Sequence, residues 1–281
     1  MTTPHWYVDT YILEGKPEAF DKIRKALENY QTTYTKYIPF SERQEGLDSV
    51  FNPYQLNLVY GTHGFVRNMQ NTFGKGSISP YITESEMECT HYYPKLPAEW
   101  LLNAGCFFVP FGMLAASVAT FCGHSEKMFV RPNSGFKSFI PTQIDTTRQY
   151  KIQEGVKEIA DKYQVTPDTL CLVAYPRELS FEIRYVIVDR EVVSASYYRL
   201  NGKHYLKECL EVGPYEAKRL AERMAAHAWQ PDVAYMCDIA LTYPGLCKIV
   251  ELNAFCCAGL YECDYDKVFK AVTEAYMRRE A

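Results

Sequence analysis

Ala234-Tyr235-Met236-Cys237-Asp238-Ile239-Ala240-Leu241-Thr242, followed by Tyr243-Pro244-Gly245 and Leu246-Cys247-Lys248-Ile249-Val250-Glu251-Leu252-Asn253, is the stretch that decides the fold. Two apolar, β-prone runs on either side of a Pro-Gly turn predict a hairpin. An even-numbered turn centred on Pro244-Gly245 sets Asp238 opposite Glu251, with Asn253 two residues further on the same face. Facing carboxylates repel across a ladder, so a sequence that places them within apolar strands calls for a counter-charge. Two carboxylates and an amide oxygen are hard donors that suit Mg²⁺. An acidic pair on a solvated sheet face is the competing reading, and a one-residue slip sends Glu251 to the other face.

The chain just upstream supplies the complementary charge. Phe181 to Val188 and Glu191 to Leu200 flank Asp189-Arg190 as a second hairpin. Within it Glu182 and Arg184 share a face, while Ile183, Tyr185 and Ile187 take the other. Arg199 closes the return strand. Arg131 ends an earlier strand, Met128 to Pro132, and Lys137 follows in a loop containing Gly135. Cations at strand ends beside Mg²⁺-type acids are what a triphosphate requires, although each arginine alone could equally be a salt-bridging residue.

The rest divides into two styles. Trp6 to Leu13 is a predicted strand, and Phe20, Ile23, Leu27 and Tyr30 follow at helical spacing. Further strands are predicted around residues 37–40 and over 55–60, the latter running into Gly61-Thr62-His63-Gly64, a ligand loop or a simple turn. Alternating β and α elements predict a small, largely parallel sheet. Residues 72–97 are polar and read as a surface excursion. From about residue 125 the pattern is α+β, with helices predicted over 151–164, 214–229 and 265–278 and a buried strand over 171–175. The expected organisation is an N-terminal α/β lobe, 1–124, followed by a domain of antiparallel sheets and helices, 125–281.

Composition narrows the function classes. Apolar residues make up 47% and charged residues 23%, ordinary globular usage, which rules against disorder and coiled coil. Thirty basic and 34 acidic residues give a net charge of −4 without any basic run, so nucleic acid and anionic membrane find little support as partners. The longest apolar stretch, 106–122, is broken by Pro110, Gly112 and Ser117 and falls short of the ~20 residues that span a bilayer. No secretory leader is visible at Met1-Thr2-Thr3-Pro4-His5, so a soluble, cytoplasmic protein is expected. Ten cysteines contain no C-x-x-C pair and read as reduced and buried. Cys256, Cys257 and Cys263 form the one cluster weighed as a metal site or nucleophile, against the plainer reading as core. Gly74-Lys75-Gly76-Ser77 fails the phosphate-loop pattern, since Met69 stands where its first glycine belongs and Gly76 follows the lysine.

On Phe-Val-Arg-Pro-Asn-Ser-Gly-Phe-Lys-Ser-Phe (129–139), Glu-Ile-Arg-Tyr-Val-Ile-Val-Asp (182–189), the strand of Asp238 and Ile-Val-Glu-Leu-Asn-Ala with Gly259-Leu260-Tyr261 (249–261), the chain resembles the ATP-grasp superfamily. It looks most like the small ligase-like members common in bacteriophage and bacterial genomes, over about residues 125–278. For a virus-encoded chain, the compartment would be the host cytoplasm. The resemblance implies ATP and Mg²⁺ as cofactors, with Arg131 and Lys137 on the phosphates and backbone of Ala174 and Tyr175 on adenine. It implies Glu182 on the ribose hydroxyls, with Glu178 as a rival. Arg184, Arg199 and Lys137 would act on the transferring phosphoryl group, and Asp238, Glu251 and Asn253 would hold the metal. The glycine-rich phosphate loop is reduced to Asn133-Ser134-Gly135, a departure that bears on how ATP is covered. The implied reaction is carboxylate–amine ligation through an acyl phosphate, with carboxylate and amine substrates that include peptides or proteins. A phosphotransferase or a non-catalytic ATP-binding module are the alternatives. His63 and His124 are candidate acid–base groups or structural histidines.

Overall fold

His5–Asp9 (β1) is an apolar run buried on both faces, the pattern of a strand inside a parallel sheet. The structure, a computed structural model, describes residues 4–9, 17–30, 32–37, 51–74, 76–80, 85–135, 138–211, 213–243 and 245–280. After β1 come Pro17–Asn29 (α1), Thr33–Tyr37 (β2), Asn57–Tyr60 (β3), His63–Phe73 (α2) and the short Cys89–Tyr92 (α3). Phe107–Pro110 (β4), Leu114–Phe121 (α4), Lys127–Pro132 (β5), Thr142–Asp145 (β6), Gln149–Tyr163 (α5) and Leu170–Ala174 (β7) follow. The chain then forms Leu179–Val188 (β8), Glu191–Leu200 (β9), Lys203–Glu208 (β10), Tyr215–Ala226 (α6), Ala234–Thr242 (β11), Cys247–Ala254 (β12) and Tyr265–Glu280 (α7).

Three sheets result, in the orders β2-β1-β3, β4-β7-β5-β6 and β10-β9-β8-β11-β12. The first is parallel, and the second is antiparallel throughout. The expected class, a small parallel α/β sheet followed by antiparallel sheets with helices, is therefore the one observed. Contacts divide the chain into two compact units, each assembled from separated stretches. One comprises 1–83, 181–239 and 252–281, the other 84–180 and 240–251. The 124/125 boundary is a division by sequence motif, and the division by contacts falls elsewhere.

The first unit has one core. Trp6, Val8, Leu58 and Tyr60 of the parallel sheet meet Phe20, Ile23 and Leu27 of α1 and Val268, Phe269, Val272 and Tyr276 of α7. The α1 and α7 residues recur at helical spacing, so each helix turns one apolar stripe inward. Trp6 meets Phe269 edge-on at 4.9 Å between ring centroids. At the carboxyl ends of β1 and β3, buried Asp9 accepts from the Thr62 amide at 2.9 Å and its hydroxyl at 2.5 Å. Thr62 in turn caps α2 by accepting from the Phe65 amide. A Cβ on Gly61 would stand 2.4 Å from both Asp9 Cβ and the Phe65 ring, so glycine is required there. The 61–64 stretch is thus a strand-to-helix turn with its own capping.

The second unit is built around Val109, Leu114, Val118, Met128, Val130, Ile144, Ile152, Ile159 and Val173, with Ile152 and Ile159 from the predicted stripe of α5. One expectation is corrected here. Residues 85–100 are not a surface excursion: Met87, Cys89, Tyr92, Leu96 and Trp100 are buried. Polar neighbours masked an apolar residue every few positions, carried on short helical turns. The strand expected at 37–40 begins earlier, at Thr33, and residues 38–40 lie outside the described residues. Among the described residues no helix is long and apolar enough to cross a membrane.

Asp232, just before β11, accepts hydrogen bonds from the Val233 amide at 2.6 Å and the Tyr276 hydroxyl at 3.3 Å. Burial pushes its carboxyl up from 3.8 to about 6. Between these values the unfolded chain has already lost the proton that the folded chain keeps, so stability falls as pH rises through this window. Asp232→Asn keeps an acceptor and abolishes that loss. It is expected to raise stability at pH 7 by roughly 1–3 kcal/mol and to leave it unchanged near pH 3. Urea unfolding of both proteins across pH 3–8 checks this, and equal differences at every pH would refute it.

Candidate active site

Alternation along β8 puts Glu182 and Arg184 on one face, and both are buried. Arg184 makes a bidentate pair with Asp238, Nε to Oδ1 at 2.8 Å and Nη2 to Oδ2 at 2.7 Å. Its remaining terminal nitrogen donates to the Gly259 carbonyl at 2.9 Å. Asp238 is fully buried, and its Oδ2 also accepts from Asn253 Nδ2 at 3.2 Å. Burial alone would lower the Arg184 pKa, but the charge and hydrogen bonds of Asp238 outweigh it and hold the guanidinium well above its ordinary value. Arg184 also lies over the Tyr198 and Tyr261 rings, at 5.8 and 5.1 Å from their centroids. Glu182 accepts from the Tyr198 hydroxyl at 2.8 Å and pairs with Arg199 at 3.3 Å.

The first unit thus brings together five of the expected residues, Glu182, Arg184, Arg199, Asp238 and Asn253. Arg199 stands directly opposite Glu182 in the β8–β9 ladder, and its side chain is half exposed. The even-turn argument does not hold at the turn itself. Thr242 N–H donates to the Leu246 carbonyl at 3.0 Å, and Gly245, at φ +108°, donates to Thr242 O. Three residues therefore lie between the bonded pair, and counting from the turn no longer sets Asp238 opposite Glu251. A glycine at positive φ lets the chain take this odd-numbered turn.

The second unit holds Glu251, whose carboxylate is 2.9 Å from the Arg131 guanidinium. Arg131 is buried, and its Nε donates to the Pro132 carbonyl. Here too burial works against the charge, while Glu251 sustains it and raises the guanidinium above its usual value. Asn133, in the shortened loop, is tied to α3: its carbonyl accepts from the Cys89 amide at 3.1 Å and its side chain from the Thr90 amide at 2.9 Å. Ala174 ends β7 opposite Phe129, and Tyr175 beyond it is half exposed. Glu178 and His124 are exposed. Lys137 lies outside the described residues. A cavity of about 270 Å³ is lined by Leu101, Leu102, Arg177, Tyr243, Leu246 and Lys248, none of them an expected nucleotide or metal residue.

All ten cysteines are free thiols, and burial pushes Cys263 up to about 12. Among the described residues no group of three or more His, Cys, Asp or Glu side chains could hold a metal ion. The donor set expected here contains two acids and an amide, and so lies outside that description.

A family model of the ATP-grasp domain, the second family of its clade, matches residues 113–271, more than half of the chain. The chain belongs to this ATP-grasp family. The match covers β5 through much of α7, and so includes every expected site residue. Among solved structures, this ATP-grasp chain is similar to D-alanyl-alanine synthetase A from Vibrio cholerae O1 biovar eltor, with a TM-score of 0.65 at 12% identity over 99% of this chain and 97% of that one. It is similar to D-cycloserine synthetase DcsG, with a TM-score of 0.64 at 13% identity over 97% and 99%. A D-alanine–D-alanine ligase from Bacillus anthracis, solved with ATP, superposes with a TM-score of 0.63 at 13% identity over 99% and 98%. At such identities the likeness concerns the ATP-grasp fold. Comparison with curated protein sequences finds no match.

Tyr198 and Tyr261 are site residues that sequence reading passes over. Tyrosines are common in this chain and usually fill cores, so only the ring and hydroxyl contacts mark these two.

Proposed function

We propose that this ATP-grasp chain is an ATP- and Mg²⁺-dependent carboxylate–amine ligase that works through an acyl phosphate. The observation that carries the reading is Asp238, a fully buried acid hydrogen-bonded to both Arg184 and Asn253. Acid, amide and cation in one cluster are the parts needed to manage phosphate charge. Family membership supports the nucleotide, and the names of the similar structures, two synthetases and a ligase, support bond formation between small substrates.

In this reading Asp238, Glu251 and Asn253 are the Mg²⁺ ligands. The donor chemistry fits: the acids offer carboxylate oxygens, and Asn253, its nitrogen given to Asp238, offers its amide oxygen. Bound there, Mg²⁺ would neutralise phosphate oxygens. Arg131 and Lys137 would hold the nucleotide phosphates, the backbone of Ala174 and Tyr175 the adenine, and Glu182 the ribose. Arg184, Arg199 and Lys137 would stabilise charge on the transferring group. A substrate carboxylate oxygen attacks the γ-phosphorus and ADP leaves. The amine then attacks the acyl carbon, loses a proton, and inorganic phosphate departs. The protein's part is positioning and electrostatics, with no covalent step of its own. The motif boundary belongs to the proposal, 1–124 completing the substrate site and 125–281 carrying nucleotide and chemistry.

The test is incubation with ATP, Mg²⁺ and paired libraries of acids and amines, reading ADP, phosphate and new amide masses. Release of ADP and phosphate that needs both an acid and an amine supports ligation. Transfer to a non-acid acceptor would replace it with a phosphotransferase, and binding without turnover across the libraries with a binding module.

A further inference from the structure

The β8–β9 ladder contains an irregularity with a consequence for the site. Glu182 pairs with Arg199 and Ile183 with Tyr197, so Tyr198 is an extra residue opposite one step of β8. Without the bulge, Tyr198 would pair with Ile183 and share its face, away from Glu182. With it, the Tyr198 hydroxyl reaches Glu182 Oε2 at 2.8 Å and the ring lies by the Arg184 guanidinium. The ring also stacks on Tyr261, at 5.3 Å between centroids and 12° between planes. Tyr261 holds a left-handed backbone, φ +55°, uncommon for an aromatic residue. An inserted residue that re-aims one side chain, and a backbone held in a sparsely populated region beside it, are features that concentrate at functional sites.

We propose that Tyr198 is a positioning residue for nucleotide recognition, fixing the Glu182 carboxylate through its hydroxyl and the Arg184 plane through its ring. The inference rests on the reading of Glu182 as the ribose acid. One Glu182 oxygen is occupied by Tyr198 and the other faces Arg199, which orients the carboxylate. A ribose-binding acid held in one orientation discriminates hydroxyls better than one free to rotate, since the ordering cost is met before the ligand arrives.

The test compares binding of MgATP and Mg-2′-deoxy-ATP to the full chain and to Tyr198→Phe, which keeps the ring and loses the hydroxyl. Wild type is expected to prefer ATP, and the preference to shrink about tenfold in Tyr198→Phe, the scale of one hydrogen bond to a charged group. A merely structural role would weaken both nucleotides alike and leave the ratio unchanged, which overturns the inference. The cycle with Glu182→Gln adds a second measurement: the Tyr198→Phe effect on the ratio is expected to vanish once Glu182 is neutral, and persistence would overturn the proposal. If Glu182→Gln leaves the wild-type preference intact, the ribose role of Glu182 fails and this inference with it. Failure of wild type to bind either nucleotide would instead overturn the reading of the site itself.

Discussion

Asp238→Ala is expected to destabilise the protein by about 3–5 kcal/mol, the cost of deleting one partner of a buried ion pair. The magnitude follows from burial. Asp238 is 0% exposed and Arg184 5%, so the variant leaves a guanidinium charge with no room for water to replace the carboxylate. Adding Arg184→Met to Asp238→Ala removes that orphaned charge and should return most of the stability. Replacing a buried pair by apolar side chains is often neutral or better. Chemical denaturation of the single and double variants checks this. The double variant should fold and still lack Mg²⁺-dependent nucleotide binding, separating the structural from the functional role of Asp238. A single variant as stable as wild type would mean that Arg184 finds solvent or another acid, and the account of the cluster would fail.

Glu251→Ala is expected to weaken MgATP binding on the order of 100-fold, since even outer partners of a metal are worth about 10–100-fold in affinity. Binding of ATP without Mg²⁺ should change far less. Glu251→Gln retains an oxygen donor and a partner for Arg131, and should fall between the two. Calorimetric titration of each variant, with and without Mg²⁺, provides the comparison. An unchanged Mg²⁺ dependence in Glu251→Ala would remove Glu251 from the metal set and leave it as the counter-ion of Arg131.

Much of the fold is legible in the sequence because its signals are local. The two-residue turn at Asp189-Arg190 lies where the flanking strands predict it, and both residues have positive φ, 48° and 69°. The stripes of α1, α5 and α7 are periodic enough to read directly. β10 is absent from the sequence-based expectation although Asn201-Gly202, with φ of 48° and 74°, is a strong hairpin signal. Its six residues are all exposed, so no buried apolar face announces the strand. The 85–100 segment escapes for the opposite reason. Its buried residues belong to short turns with no sustained period, so nothing in a window of sequence separates them from loop.

What the sequence by itself determined is residue chemistry and face: acids, amide and arginines on β-prone strands, Glu182 and Arg184 two apart and therefore together. What only the tertiary structure decided is partnership. Asp238 pairs with Arg184, Glu251 with Arg131, and Tyr198 reaches Glu182 through a bulge. Strand alternation is a property of the backbone and can be counted along a chain. Which charge neutralises which depends on distances between strands far apart in sequence, and on one extra residue in a ladder that counting assumes regular.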